Sequence, residues 1–60
     1  MIQFKDVALG EQFYEPNSGE YFLKVCGNAA EHLAGGENST GQLCTFDEDE
    51  LVKPYNPVKY

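Results

Sequence analysis

Sixty residues with four lysines, no arginine and ten acids give a formal charge of −6, in a chain near the lower size limit for folding on a hydrophobic core alone. That balance lacks the cationic footprint with which proteins neutralise nucleic-acid phosphates, and it repels an anionic membrane surface. A core this thin leaves little room for the deep substrate pocket of an ordinary enzyme.

The N-terminal stretch Met1-Ile2-Gln3-Phe4-Lys5-Asp6 has neither the basic start nor the apolar run of a signal peptide. No segment approaches transmembrane length, so a cytoplasmic location is expected. After apolar Ile2 and Phe4, residues 5–10 alternate polar and apolar side chains, which predicts a strand or arch entering a hairpin. Residues 11–15 and 20–26 are two β-rich runs. Between them, Pro16 presets φ while Asn17, Ser18 and Gly19 supply turn chemistry.

A loop at residues 16–19 sets a register in which Glu15 faces Glu20, Tyr14 faces Tyr21, Phe13 faces Phe22 and Glu11 faces Lys24. Cross-strand pairs of these kinds contribute roughly 0.2–1 kcal/mol each. Neighbouring strand residues point to opposite faces, so the phenylalanines share one face with Glu11 and Lys24, and the tyrosines share the other with Leu23 and Val25. The register leaves open which pair faces outward: tyrosine hydroxyls can stay wet, which favours Tyr14 and Tyr21, while Leu23 and Val25 on the tyrosine face favour the phenylalanines. Lys24 is expected to pack its stem and reach its ammonium toward Glu11.

The central stretch has two readings. Asn28-Ala29-Ala30-Glu31 has the spacing of a helix cap followed by an acid, with Leu33 inside and Gly35 as a terminator; equally, residues 30–33 fit a short strand leading into a polar, mobile loop at residues 35–41. A β pattern resumes at residues 42–46. Asp47-Glu48-Asp49-Glu50 turns the chain, with Asp47 a candidate cap for one 3₁₀ turn, and Leu51-Val52-Lys53-Pro54 closes the domain, Pro54 suiting an edge or a strand end. Residues 55–60 read as an extended tail.

The residues Phe4-x-Asp6-x-x-x-Gly10-x-x-Phe13, then Phe22-x-Lys24-Val25, Ala30, Phe46 and Val52-x-Pro54 resemble a pattern found in a small phage- and prophage-associated bacterial domain of uncharacterised proteins. The resemblance spans residues 4–54. It implies a strongly bent β-sheet of the SH3-like barrel kind and a phage or mobile-element accessory role in the host bacterial cytoplasm. This chain departs from the pattern in its longer loop at residues 35–41 and in its tail.

Candidate chemistry is sparse. The acidic run lacks the alternating ligands and central glycine of a calcium loop. His32 is the only histidine, and its spacing from Cys26 and Cys44 sets up neither a nucleophilic triad nor a four-ligand zinc site. With no CxxC spacing, the cysteines read as reduced, half-buried thiols. Asn38-Ser39-Thr40 matches a glycosylation sequon but lies in a chain without a secretory signal.

These readings converge on a mainly β, SH3-like, partly open barrel of about five short antiparallel strands with room for one helical turn, built from residues 1–54. The expected function is a non-enzymatic protein-interaction module, a phage-derived accessory or inhibitor that binds a host or phage protein without cofactor, metal, nucleic acid or membrane. Tyr14, Tyr21, Phe22, Lys24 and Tyr55 are its candidate interaction residues, with Asp47, Glu48, Asp49 and Glu50 as an acidic rim. Two alternatives are an acidic nucleic-acid mimic that occupies a basic DNA-binding groove and a self-associating virion or assembly component. The residues set no oligomeric state.

Overall fold

The computed structural model describes residues 1–56. Its elements are β1 (Ile2–Gln3), a 3₁₀ turn (Phe4–Asp6), β2 (Gln12–Glu15), β3 (Glu20–Cys26), β4 (Ala29–Ala34), β5 (Asn38–Thr45) and β6 (Leu51–Pro54). They form one antiparallel sheet in the order β1-β6-β2-β3-β4-β5. Strands β2 to β5 follow one another as a meander, and β6 returns to lie between β1 and β2. The predicted hairpin register is present: Phe13 faces Phe22, Tyr14 faces Tyr21 and Glu15 faces Glu20. Residues 16–19 form the connection, closed by the Gly19 N–H donating to the Glu15 carbonyl at 2.9 Å.

The sheet has six strands rather than about five, and it is open rather than barrel-like, because its end strands β1 and β5 do not pair. After only two residues of β1 the chain tightens into the 3₁₀ turn. Its amides then bond to a turn and not to β5, Phe4 N–H donating to the Glu50 carbonyl and Lys5 N–H to that of Glu48.

Residues 29–34 resolve as a strand. A helix of that length gains few internal hydrogen bonds, whereas β4 is paired on both sides, by β3 and β5. The expected loop at residues 35–41 is much shorter, since β5 begins at Asn38. Nor does Asp47 start a helical turn: the Glu50 N–H reaches the Asp47 carbonyl at 3.1 Å, closing a simple reversal. The 3₁₀ turn lies at Phe4–Asp6 instead. Of the expected tail, Tyr55 continues the β2–β6 ladder by donating its N–H to the Gln12 carbonyl at 3.3 Å, and residues 57–60 lie outside the described residues.

The main hydrophobic cluster occupies one face of the sheet. Phe13, Phe22, Ala30 and Val52 project from the strands, and Phe4, Val7 and Phe46 close over them. All four phenylalanines of the chain meet here. Phe4 stacks on Phe46 with centroids 4.9 Å apart, Phe13 stacks on Phe22 at 5.7 Å, and the two stacks meet edge to face, as at the 5.0 Å contact of Phe22 with Phe46. Such offset and T-shaped arrangements match the negative faces of the rings to their positive edges.

Candidate functional site

The opposite face carries the tyrosines. Alternation along β2 and β3 puts Tyr14 and Tyr21 there, and the extra residue of ladder at Tyr55 brings a third ring beside them. Centroids of Tyr14 and Tyr21 are 5.0 Å apart at 57°, and those of Tyr21 and Tyr55 are 4.7 Å apart at 59°. Together with Lys53 and Pro54 they line an open groove of about 370 Å³. All three rings are half-buried, which leaves amphipathic surface presented on a rigid ladder.

Two residues that sequence reasoning passed over hold this surface from behind. Leu33 is buried opposite Tyr21 across the β3–β4 ladder. Gly36 is buried at φ +80°, and a Cβ placed on it would meet Cγ of Tyr21 at 3.4 Å and Cδ1 and Cδ2 at 3.6 Å. The glycine is therefore required for its backbone angle, while the ring lies at ordinary contact distance above it. The Gly35-Gly36 doublet signalled the turn but not the ring above it. Gln12 shares this face, and its Oε1 is buried without a hydrogen-bond partner among the described residues.

The other sequence-predicted residues lie elsewhere. Phe22 and Lys24 project to the core face, 6% and 5% exposed, so neither joins the tyrosine surface. Lys24 does not reach the Glu11 carboxylate, which accepts the Ala8 N–H instead. Its Nζ donates to the Phe4 carbonyl at 2.9 Å and sits 4.4 Å from the centre of the Phe4 ring. Asp47, Glu48 and Glu50 line a separate cavity of about 520 Å³ with Asn28, Thr45 and Phe46. The reversal that presents them is bonded to the 3₁₀ segment, which holds them away from the tyrosines.

Glu15, at the end of β2, is buried at 6% exposure. Its carboxylate accepts the N–H groups of Asn17 at 2.7 Å and Ser18 at 2.8 Å, organising the hairpin turn. Burial pushes this carboxyl up, but those hydrogen bonds outweigh it and hold it below its ordinary value. Glu50 moves the other way: burial raises it, and the charges of Glu15, Asp47 and Asp49 raise it further against a partial offset from a backbone hydrogen bond at Asp47. The signs follow by linkage. Glu15 stabilises the fold above its unfolded-state pKa, a contribution lost as pH falls through its lowered folded value. Glu50 favours the fold only when protonated, and that contribution is lost as pH rises through its raised folded value. Urea titrations of Glu50→Gln should therefore show a gain in stability at pH 7 that vanishes below pH ~4, where the unfolded carboxyl is also protonated; Glu15→Gln should lose stability at pH 7. A Glu50→Gln protein no more stable than the parent at pH 7 would refute the crowding.

A third cavity, about 210 Å³, is lined by Ser18, Glu20, Phe22, His32, Gln42 and Cys44. Both imidazole nitrogens are engaged, Nε2 with Glu20 Oε2 at 2.8 Å and Nδ1 with Thr40 Oγ1 at 3.4 Å. Neither is left to activate the Cys44 thiol on the same rim. Cys26 is exposed, its Sγ donating to Asn28 Oδ1 at 3.3 Å. Among the described residues, no group of three or more His, Cys, Asp or Glu is placed to hold a metal ion.

No protein-family model, curated protein or solved structure matches this chain.

Proposed function

We propose that this protein is a non-enzymatic interaction module whose docking surface is the groove between Tyr14, Tyr21 and Tyr55. The observation that carries the reading is the segregation of the aromatics: the phenylalanines complete the core, and three tyrosines line the unpacked face of the same sheet. Aromatic residues with a polar tip are enriched at the energetic centres of protein interfaces. The partner is a host or phage protein, and a basic one would be steered by the net charge of −6. The phage-associated setting and the SH3-like character belong to the same proposal. Their support is the residue pattern spanning positions 4–54 and the run of sequence-adjacent hairpins around an aromatic core.

A lysate pull-down followed by titration of the recovered partner tests the surface. Tyr14→Ala with Tyr21→Ala, or the less intrusive Tyr55→Ala, should weaken binding at least ~30-fold, the scale of a ~2 kcal/mol hot spot, with far-UV dichroism unchanged. Binding at parental affinity by folded variants would end the proposal.

A second reading, the nucleic-acid mimic, draws on the crowding of Glu15, Asp47 and Asp49 about Glu50. It requires binding to a basic groove that collapses with added salt and survives the tyrosine substitutions.

A further inference from the structure

Strand β5 ends the sheet, with β4 on one side only, and seven of its eight residues are exposed. Open edges of this kind are ordinarily guarded by lysine, proline or another charge. Here the guard of charge and proline is missing: residues 38–46 form the longest stretch of the chain without a charged side chain, bounded by Glu37 and Asp47. For a molecule of charge −6, this edge sets no charged side chain of its own strand against a second copy.

A bulge decides how much of the edge is usable. The β4–β5 register moves from Glu31 opposite Leu43 to Leu33 opposite Ser39, so β5 carries two extra residues there. Gly41 at φ +78° makes the excursion. Its amide donates to Ser39 Oγ at 3.3 Å, the Gln42 amide donates to Thr40 Oγ1 at 3.2 Å, and Thr40 Oγ1 donates to the His32 carbonyl at 3.0 Å. The bulge thus satisfies its own amides and leaves residues 43–45 as the regular edge.

The phase of that segment follows from one bond. Phe46 N–H donates to the Asn28 carbonyl at 2.8 Å, so residue 46 faces β4. In an antiparallel ladder such residues alternate with outward-facing ones. Cys44 therefore bonds inward, and the amides and carbonyls of Leu43 and Thr45 point away from the sheet.

We infer that the protein self-associates through this edge, two copies pairing β5 with β5 about a two-fold axis at Cys44. Leu43 of each copy then exchanges both backbone hydrogen bonds with Thr45 of the other. The two Cys44 residues face each other at a non-hydrogen-bonded site, where Cα atoms lie about 4.5 Å apart. Leu43, 65% exposed in the single chain, gains cover from the second copy. Shifting the axis to residue 43 sets Thr45 against the bulged Gly41, and shifting it to residue 45 sets Leu43 against Asp47. Only the Cys44 register uses every outward group on neutral residues.

Sedimentation equilibrium of the full chain should show a monomer–dimer equilibrium, and Leu43→Lys or Thr45→Lys, both at exposed positions, should shift it to monomer with unchanged dichroism. A short bis-maleimide should link two copies of Cys26→Ser and fail to link Cys44→Ser. A monomer at every concentration, a dimer that persists in both lysine variants, or linkage through Cys26 in place of Cys44 would each overturn the inference. Tyr14→Ala with Tyr21→Ala should still dimerise, which separates this edge from the tyrosine groove.

Discussion

Phe13→Ala is expected to leave the chain unfolded at room temperature. The Phe13 ring lies 5.5 Å from that of Phe4, 5.7 Å from Phe22 and 5.3 Å from Phe46. Phe46 also touches all three other rings, but Phe13 is the fully buried one of the two, so its removal loosens both stacks at the centre of the core. Truncating a buried phenylalanine costs about 3–5 kcal/mol. A core of this size rarely supplies more than that. Circular dichroism and urea titration check it: the alanine variant should lack a folded baseline, whereas Phe13→Leu, which retains most of the volume, should keep a cooperative transition at lower urea. A folded Phe13→Ala protein with a parental midpoint would mean that the four-ring cluster does not hold the sheet.

The second large effect is expected at Lys24, and its sign depends on the replacement. Lys24 is 5% exposed, and its ammonium is held by a carbonyl and a ring face, with no salt bridge to a carboxylate among the described residues. Lys24→Glu would bring a negative charge against the Phe4 carbonyl oxygen and the negative face of the ring, and should cost at least ~3 kcal/mol, as uncompensated buried charges do. Lys24→Met keeps an unbranched stem of similar length and removes the desolvated charge. The Phe4 carbonyl still accepts the Val7 N–H at 3.1 Å, so no acceptor is orphaned. The methionine variant should match or exceed the parent in urea midpoint, and a loss above ~2 kcal/mol would show that the ammonium contributes more than its burial costs.

The hairpin was legible in the sequence because its information is local: one turn of strong chemistry set the loop, and the loop set every pair in β2 and β3. The register separated phenylalanines from tyrosines but left open which pair lay inside; the wet hydroxyl and the resemblance, with Phe13 inside, favoured the tyrosines as the outward pair, against Leu23 and Val25 on the same face. Residues 29–34 were ambiguous because an alanine-rich hexapeptide has little preference of its own, and its strand state is imposed by neighbours on both sides. Lys24 was misassigned because its partner is a main-chain carbonyl twenty residues away, which no side-chain pattern encodes. The acidic run was legible as a turn. Its separation from the tyrosines was not, since it depends on the bonds from Phe4 and Lys5 to the reversal.

The insertion of β6 between β1 and β2 has a consequence for the order of events in the cell. Strands β2 to β5 can assemble from contacts close in sequence, as a growing chain makes them. Strand β1, although it precedes the meander in the chain, has its only ladder partner among the described residues in β6, Ile2 facing Val52. That flank is closed by the pairing of greatest sequence separation in the sheet, so it carries the largest loop-closure cost and is expected to form after the local hairpins.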